Sequence, residues 1–151
     1  MNFDSLTNND IKNLIEMPKL IENPSAQWKT FRGSQQRNYT ARGNGYLFRL
    51  FERQNKKDTD NFSCGLGVVK PDSQLLILLR YNGCSHTHGD IKYACHIHKA
   101  TEQAIVDGKK AESFATPTDE YRTLKDALYC LCRDANISGL VDLQQPNLFG
   151  A

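Results

Sequence analysis

Two rhythms organise the apolar positions of this chain. Near its start, Ile11, Leu14 and Ile15 recur at helical spacing behind Thr7, a residue type suited to capping a helix, until Pro18 interrupts. From residue 46 the period becomes two. "YLFRLFER" sets Tyr46, Phe48 and Leu50 on one face, with Arg49, Phe51 and Arg53 on the other, as in a half-buried strand. A polar turn, "QNKKDTDN", leads into "FSCGLGVV", where Phe62, Cys64, Leu66 and Val68 align. Gly65 and Gly67 take the opposite face, a mark of a bulge or of close approach by another element. After Pro71-Asp72, "LLILLRY" (75–81) reads as a central strand covered on both faces. "IKYACHIH" alternates again, with Tyr93, Cys95 and Ile97 opposed to Ala94, His96 and His98.

Helical signals return at the end. Residues 99–107 predict a short helix ended by Gly108. "TPTDEYRTLKDALYCLCRDANI" predicts a longer one, with Thr116 as N-cap, Pro117 at the first helical position and acids in the first turn. Its apolar stripe is Tyr121, Leu124, Leu128, Leu131 and Ala135. Residues 23–45 read as irregular, with Pro24, Gly33, Gly43 and Gly45 among polar and basic residues. The expected fold is a single α+β domain over 1–151: an antiparallel sheet of about four strands packed by N-terminal and C-terminal helices.

Composition narrows the setting. No apolar run approaches the roughly 20 residues of a membrane span, and the first residues lack the basic start and apolar stretch of a signal peptide. A cytoplasmic protein with no membrane contact is expected. The five cysteines are odd in number and form no CxxC, which favours free thiols in a reducing compartment.

Charge is uneven. Residues 29–57 hold Lys29, Arg32, Arg37, Arg42, Arg49, Arg53, Lys56 and Lys57 against the single acid Glu52, a net of +7. The rest must carry −5 to reach the overall +2, so one basic stretch faces a polyanion: RNA, or an acidic partner protein. Trp28, Phe31 and Tyr39 are interleaved with these cations, as side chains that stack on unpaired bases often are, although Trp28 and Phe31 also suit a core.

All four histidines lie in "NGCSHTHGDIKYACHIHK" (82–99), as two His-x-His pairs. On a strand, each pair shares a face. A two-residue turn at Gly89-Asp90 would place His86 and His88 opposite His96 and His98. A wider loop with an even register sum joins His96 and His98 to Arg80, with His86, His88 and Lys99 within approach. The loop-forming residues of "NGCSHTHGD" favour the wider loop.

Three readings of the cluster stay open. In the preferred one, histidines supply acid and base for metal-independent RNA cleavage, with Arg80 and Lys99 facing the charged phosphorane. No cofactor is then needed. In the second, His86, His88, His96 and His98 bind a transition metal such as zinc, with Asp90 nearby, although no HExxH or comparable spacing is complete. In the third, they are strand and loop residues satisfied locally. Arg42, Arg49, Arg53, Asn82, Lys99 and Tyr121 are the expected substrate contacts, Tyr121 having a competing place in the helical stripe. Thr101 is expected at a helix start.

The order "YLFRLFER … GLGVV … LLILLRYNGCSHTHGD … HIH" resembles small bacterial toxins of the RelE/ParE-like superfamily, TumE-like proteins in particular. What carries the resemblance is a strand ending in Arg80-Tyr81-Asn82 and the histidine loop behind it, within residues 46–98. It implies a compact antiparallel sheet with helices, and a growth-inhibiting ribonuclease held in check by an antitoxin. A different class also fits the charge asymmetry: a small phage- or plasmid-encoded inhibitor that occupies a nuclease or nucleic-acid channel without catalysis.

Overall fold

Residues 1–85 and 94–140 are described by the structure, a computed structural model. Among them the chain runs α1 (Asn8–Glu16), β1 (Lys19–Ile21), β2 (Lys29–Phe31), β3 (Ser34–Gly43), β4 (Tyr46–Asn55), β5 (Phe62–Val69) and β6 (Leu75–Asn82). It continues with β7 (His96–Lys99), α2 (Glu102–Val106), β8 (Phe114–Pro117), α3 (Leu124–Asp134) and β9 (Ile137–Ser138). All strands join one sheet in the order β8-β7-β6-β5-β4-β3-β1-β9, with β2 paired to β3; only β1 and β9 run parallel. The expectation of about four strands is thereby corrected. This is a nine-stranded mixed sheet with three helices.

The additional strands explain the error. In β3, only Tyr39 and Ala41 are fully buried apolar residues among polar neighbours, so its alternation is faint in sequence. It nevertheless pairs with β4 from Ser34↔Asn55 to Gly43↔Tyr46. Asn44 (φ 50) and Gly45 (φ 82) close that hairpin, the left-handed pair that a tight two-residue turn requires. The expected helix start at Thr116-Pro117 is the end of β8, an edge strand where a proline costs no ladder bond. Thr123 caps α3 instead, accepting from Asp126 N at 3.2 Å. α1 forms where its pattern places it, with a capping box between Thr7 and Asp10, and Thr101 caps α2.

Helices α1 and α3 cover one face of the sheet. Ile11, Leu14 and Ile15 from α1, and Leu124, Leu128 and Leu131 from α3, pack with Phe48, Leu50, Phe62, Leu66 and Val68. Each of these large side chains contributes about 1.5–3 kcal/mol on burial, which locates the core on this side. Among the described residues, no helix is long and apolar enough to cross a membrane.

One irregularity sets up the other face. Leu66 pairs with Leu79, but Gly67 pairs with Ile77, so Leu78 is an extra residue in β6. The bulge lets a continuous apolar run bury Leu78, Leu79 and Tyr81 while Arg80 and Asn82 turn to the side opposite α1 and α3. On that side Gly65 is crowded: an added Cβ would stand 2.4 Å from Phe51 Cζ and 2.8 Å from Leu79 O. Gly65→Ala should therefore lower stability by roughly 1–3 kcal/mol in denaturant unfolding, since backbone and ring must both shift.

Candidate functional site

Register decides which of the expected residues meet. Arg80 pairs with His98 and Asn82 with His96, so even residues face even residues across β6 and β7. This satisfies the wide-loop condition, and Arg80, Asn82, His96 and His98 share the face away from α1 and α3. The same rule excludes Lys99. It is next to His98 in an extended strand and points to the helix side, where it lines a cleft with Leu79, Tyr81 and Ile97. The expectation that Lys99 joins Arg80 and the imidazoles is corrected. His86, His88 and Asp90 lie outside the described residues.

A residue that the sequence does not single out completes the cluster. Glu112, from the segment between α2 and β8, is 6% exposed. Its carboxylate pairs with Arg80 Nη1 at 3.2 Å, and its carbonyl accepts from His98 Nδ1 at 2.9 Å. With the proton on Nδ1, the basic lone pair of His98 lies on Nε2. His96 is oriented differently. Asn82 Nδ2 donates to its Nε2 and its Nδ1 donates to Ala94 O, both at 3.3 Å. Both imidazoles are buried, and their rings meet edge to face with centroids 5.0 Å apart. His96 therefore buttresses His98.

Among the described residues, two polar atoms of this cluster have no hydrogen-bond partner: the donor Arg80 Nε and the acceptor Asn82 Oδ1. Each costs about 1–3 kcal/mol when left unpaired, which makes this cluster the candidate site. Arg80 is also where the cluster meets solvent, its side chain being 27% exposed.

Neither protein-family models, nor curated proteins, nor solved structures give a match to this chain. Function has to be read from the geometry.

The expected substrate contacts divide by position. Arg53 stands in one cross-sheet row with Ser63, Asn82 and His96, two strands or about 10 Å from Asn82. It is held by Asn61 Oδ1 at 2.9 Å and Ser34 Oγ at 3.5 Å. Arg49 is exposed on the same face and makes no ion pair among the described residues. Arg42 also shares the face, but it is six residues along β3 from that row, roughly 20 Å away, and its Nε is 3.1 Å from both oxygens of Glu22.

Tyr121 cannot touch a substrate. It is fully buried on the core side, stacked on Tyr81 at 5.6 Å, with its hydroxyl between the carbonyls of Asn82 (2.8 Å) and His96 (3.0 Å). Its role is to hold β6 against β7 from behind. Tyr121→Phe should cost about 1 kcal/mol in unfolding experiments.

The aromatic residues of the basic stretch also separate. Phe31 is 69% exposed at the β2–β3 turn. Trp28 and Tyr39 instead flank Arg37 on the helix side, with its guanidinium 4.4 and 5.4 Å from their ring centres, in a cleft of about 650 Å³. Arg37 pairs with buried Glu52 at 2.9 Å, and Tyr39 donates to the same oxygen at 3.2 Å. Burial raises the Glu52 carboxyl above its ordinary range against the pull of Arg37, and pushes Tyr39 up to about 12.

All five cysteines are free thiols. Among the described residues, no group of three or more His, Cys, Asp or Glu is placed to hold a metal ion. His96 and His98, the described half of the expected metal set, bond Asn82, Ala94 and Glu112; His86 and His88, the other half, lie outside the described residues.

Proposed function

We propose that this chain is an endoribonuclease of the toxin type, cutting single-stranded RNA by attack of the ribose 2′-hydroxyl on the adjacent phosphorus. The observation that carries the reading is the Arg80–Glu112–His98 cluster: one residue, Glu112, bonds both the arginine and the imidazole. A transesterification of this kind needs a base, an acid and a cation close together, and here side chains supply all three.

The steps balance. The Glu112 carboxylate accepts the 2′-hydroxyl proton as the 2′-O–P bond forms. His98, protonated, delivers a proton to the departing 5′ oxygen as the P–O5′ bond breaks. Arg80, part-exposed where the cluster meets solvent, offsets the charge that collects on the phosphorane oxygens.

The basic face supports the same substrate. Lys29, Arg49 and Arg53 lie on the side of the sheet that carries the cluster. An acidic antitoxin would inhibit by covering those cations. Purified protein is expected to fragment mixed-sequence single-stranded RNA and to leave its 2′-O-methyl counterpart intact. RNA that stays whole across such substrates would overturn the proposal.

A further inference from the structure

Phe51 has no part in the chemistry above, and its position is unusual for a phenylalanine. It projects from β4 on the face away from α1 and α3, in the row Asn38, Phe51, Gly65, Arg80, His98. Its neighbour in that row has no side chain. The ring fills the space, with Cζ and Cε1 2.4 and 2.7 Å from where a Gly65 Cβ would stand. The ring thus lies over the β5 backbone, two strands or about 10 Å from Arg80, and it is half-buried rather than covered. Arg49 and Arg53 flank it on the same face, each about 7 Å away along the strand.

We infer that Phe51, laid over Gly65, is a stacking platform for one unpaired nucleobase, with Arg49 and Arg53 holding the phosphates on either side. The inference rests on the RNA reading for the identity of the ligand. Its geometry is independent of the cleavage chemistry.

Three features point to single-stranded nucleic acid. An aromatic ring on an open sheet face offers a π surface that any base can use, and stacking needs the base to be unpaired. The flanking groups are cations, and Arg49 has no acidic partner among the described residues. The row leads directly to Arg80 and His98, so a strand stacked at Phe51 passes its next sugar–phosphate toward the reacting groups.

The test uses wild-type protein and a fluorescent 2′-O-methyl oligouridine of about ten nucleotides, which 2′-hydroxyl attack cannot cut. Phe51→Ala and Phe51→Leu should each weaken binding by about tenfold, while Phe51→Trp stays within about twofold of wild type. The leucine variant keeps an apolar side chain over Gly65, so a loss there reports the ring and not the fold. Arg49→Ala and Arg53→Ala should each flatten the dependence of log affinity on log salt by about 0.7. A duplex of equal length should bind more weakly than the single strand.

Wild-type affinity in Phe51→Leu, or equal affinity for duplex and single strand, would overturn the platform. No measurable binding of the oligonucleotide to wild-type protein would overturn it too. Phe51-dependent binding by a protein that leaves natural RNA intact keeps the platform and removes the nuclease reading instead.

Discussion

Lys19→Met lowers the free energy of unfolding by about 2–3 kcal/mol, a loss read directly in denaturant or thermal unfolding. Lys19 is 2% exposed, and its ammonium donates to Ile15 O at 2.7 Å, Met17 O at 2.8 Å and Ala135 O at 2.8 Å. Those carbonyls close the last turns of α1 and α3, the ends that lack partners within their own helices and carry the negative pole of the helix dipole. One side chain therefore caps two helices from the strand between them, with Phe48 below the ammonium at 4.8 Å. Methionine matches its length and restores none of the three bonds, leaving three acceptors unpaired, two of them buried. An unfolding free energy within about 1 kcal/mol of wild type would contradict this role.

The same residue sets a pH dependence. Burial lowers the Lys19 ammonium from 10.5 to about 8. Between those values the unfolded chain holds a proton that the folded chain has released, so the Lys19 contribution to stability rises with pH across that window. The contribution is complete above the unfolded value and is lost as pH falls through about 8. The difference in unfolding free energy between wild type and Lys19→Met should therefore grow with pH across that window.

His98→Ala and Glu112→Gln should each slow RNA cleavage by about 10²–10⁴-fold under single-turnover conditions, with RNA affinity retained. His98 supplies the imidazole whose tautomer is fixed by the Glu112 carbonyl at 2.9 Å, and Glu112 supplies the carboxylate next to Arg80 at 3.2 Å. Glu112→Gln keeps the backbone carbonyl, and so keeps the His98 bond, while removing the base. His96→Ala should cost less, about tenfold, because both His96 nitrogens bond within the protein and its effect on chemistry passes through the His98 ring. Full activity in Glu112→Gln would remove the assigned base.

Much of this arrangement was readable from residue order, and the rest failed for identifiable reasons. Phe62–Val69 was delimited by its alternation, and most of Tyr46–Asn55 and Leu75–Asn82 likewise. Strand β3 was missed because Tyr39 and Ala41 alone carry its inward apolar pattern, although Asn44-Gly45 is the turn signal that would have found it. Thr116-Pro117 reads as a helix start because cap and edge-strand preferences overlap in those two residues. The parity of the histidine pairs allowed two answers from sequence, and only the observed pairing of Arg80 with His98 chooses between them.

Glu112 was beyond sequence reasoning. It is 32 positions from Arg80, in a connecting segment with no motif, and only the path of the chain through α2 brings it onto the β6–β7 face. Tyr121 was half-readable: its place in the apolar stripe was visible, but its grip on the Asn82 and His96 carbonyls was not.

The central claim is that Arg80, Glu112 and His98 direct the ribose 2′-hydroxyl against its own phosphodiester. The termini of the RNA fragments test it most directly, determined by mass for wild type and for Glu112→Gln. The predicted result is 2′,3′-cyclic phosphate and 5′-hydroxyl ends from wild type, with few fragments from the variant. Fragments that carry 5′-phosphates and 3′-hydroxyls, or equal yields from both proteins, would contradict it.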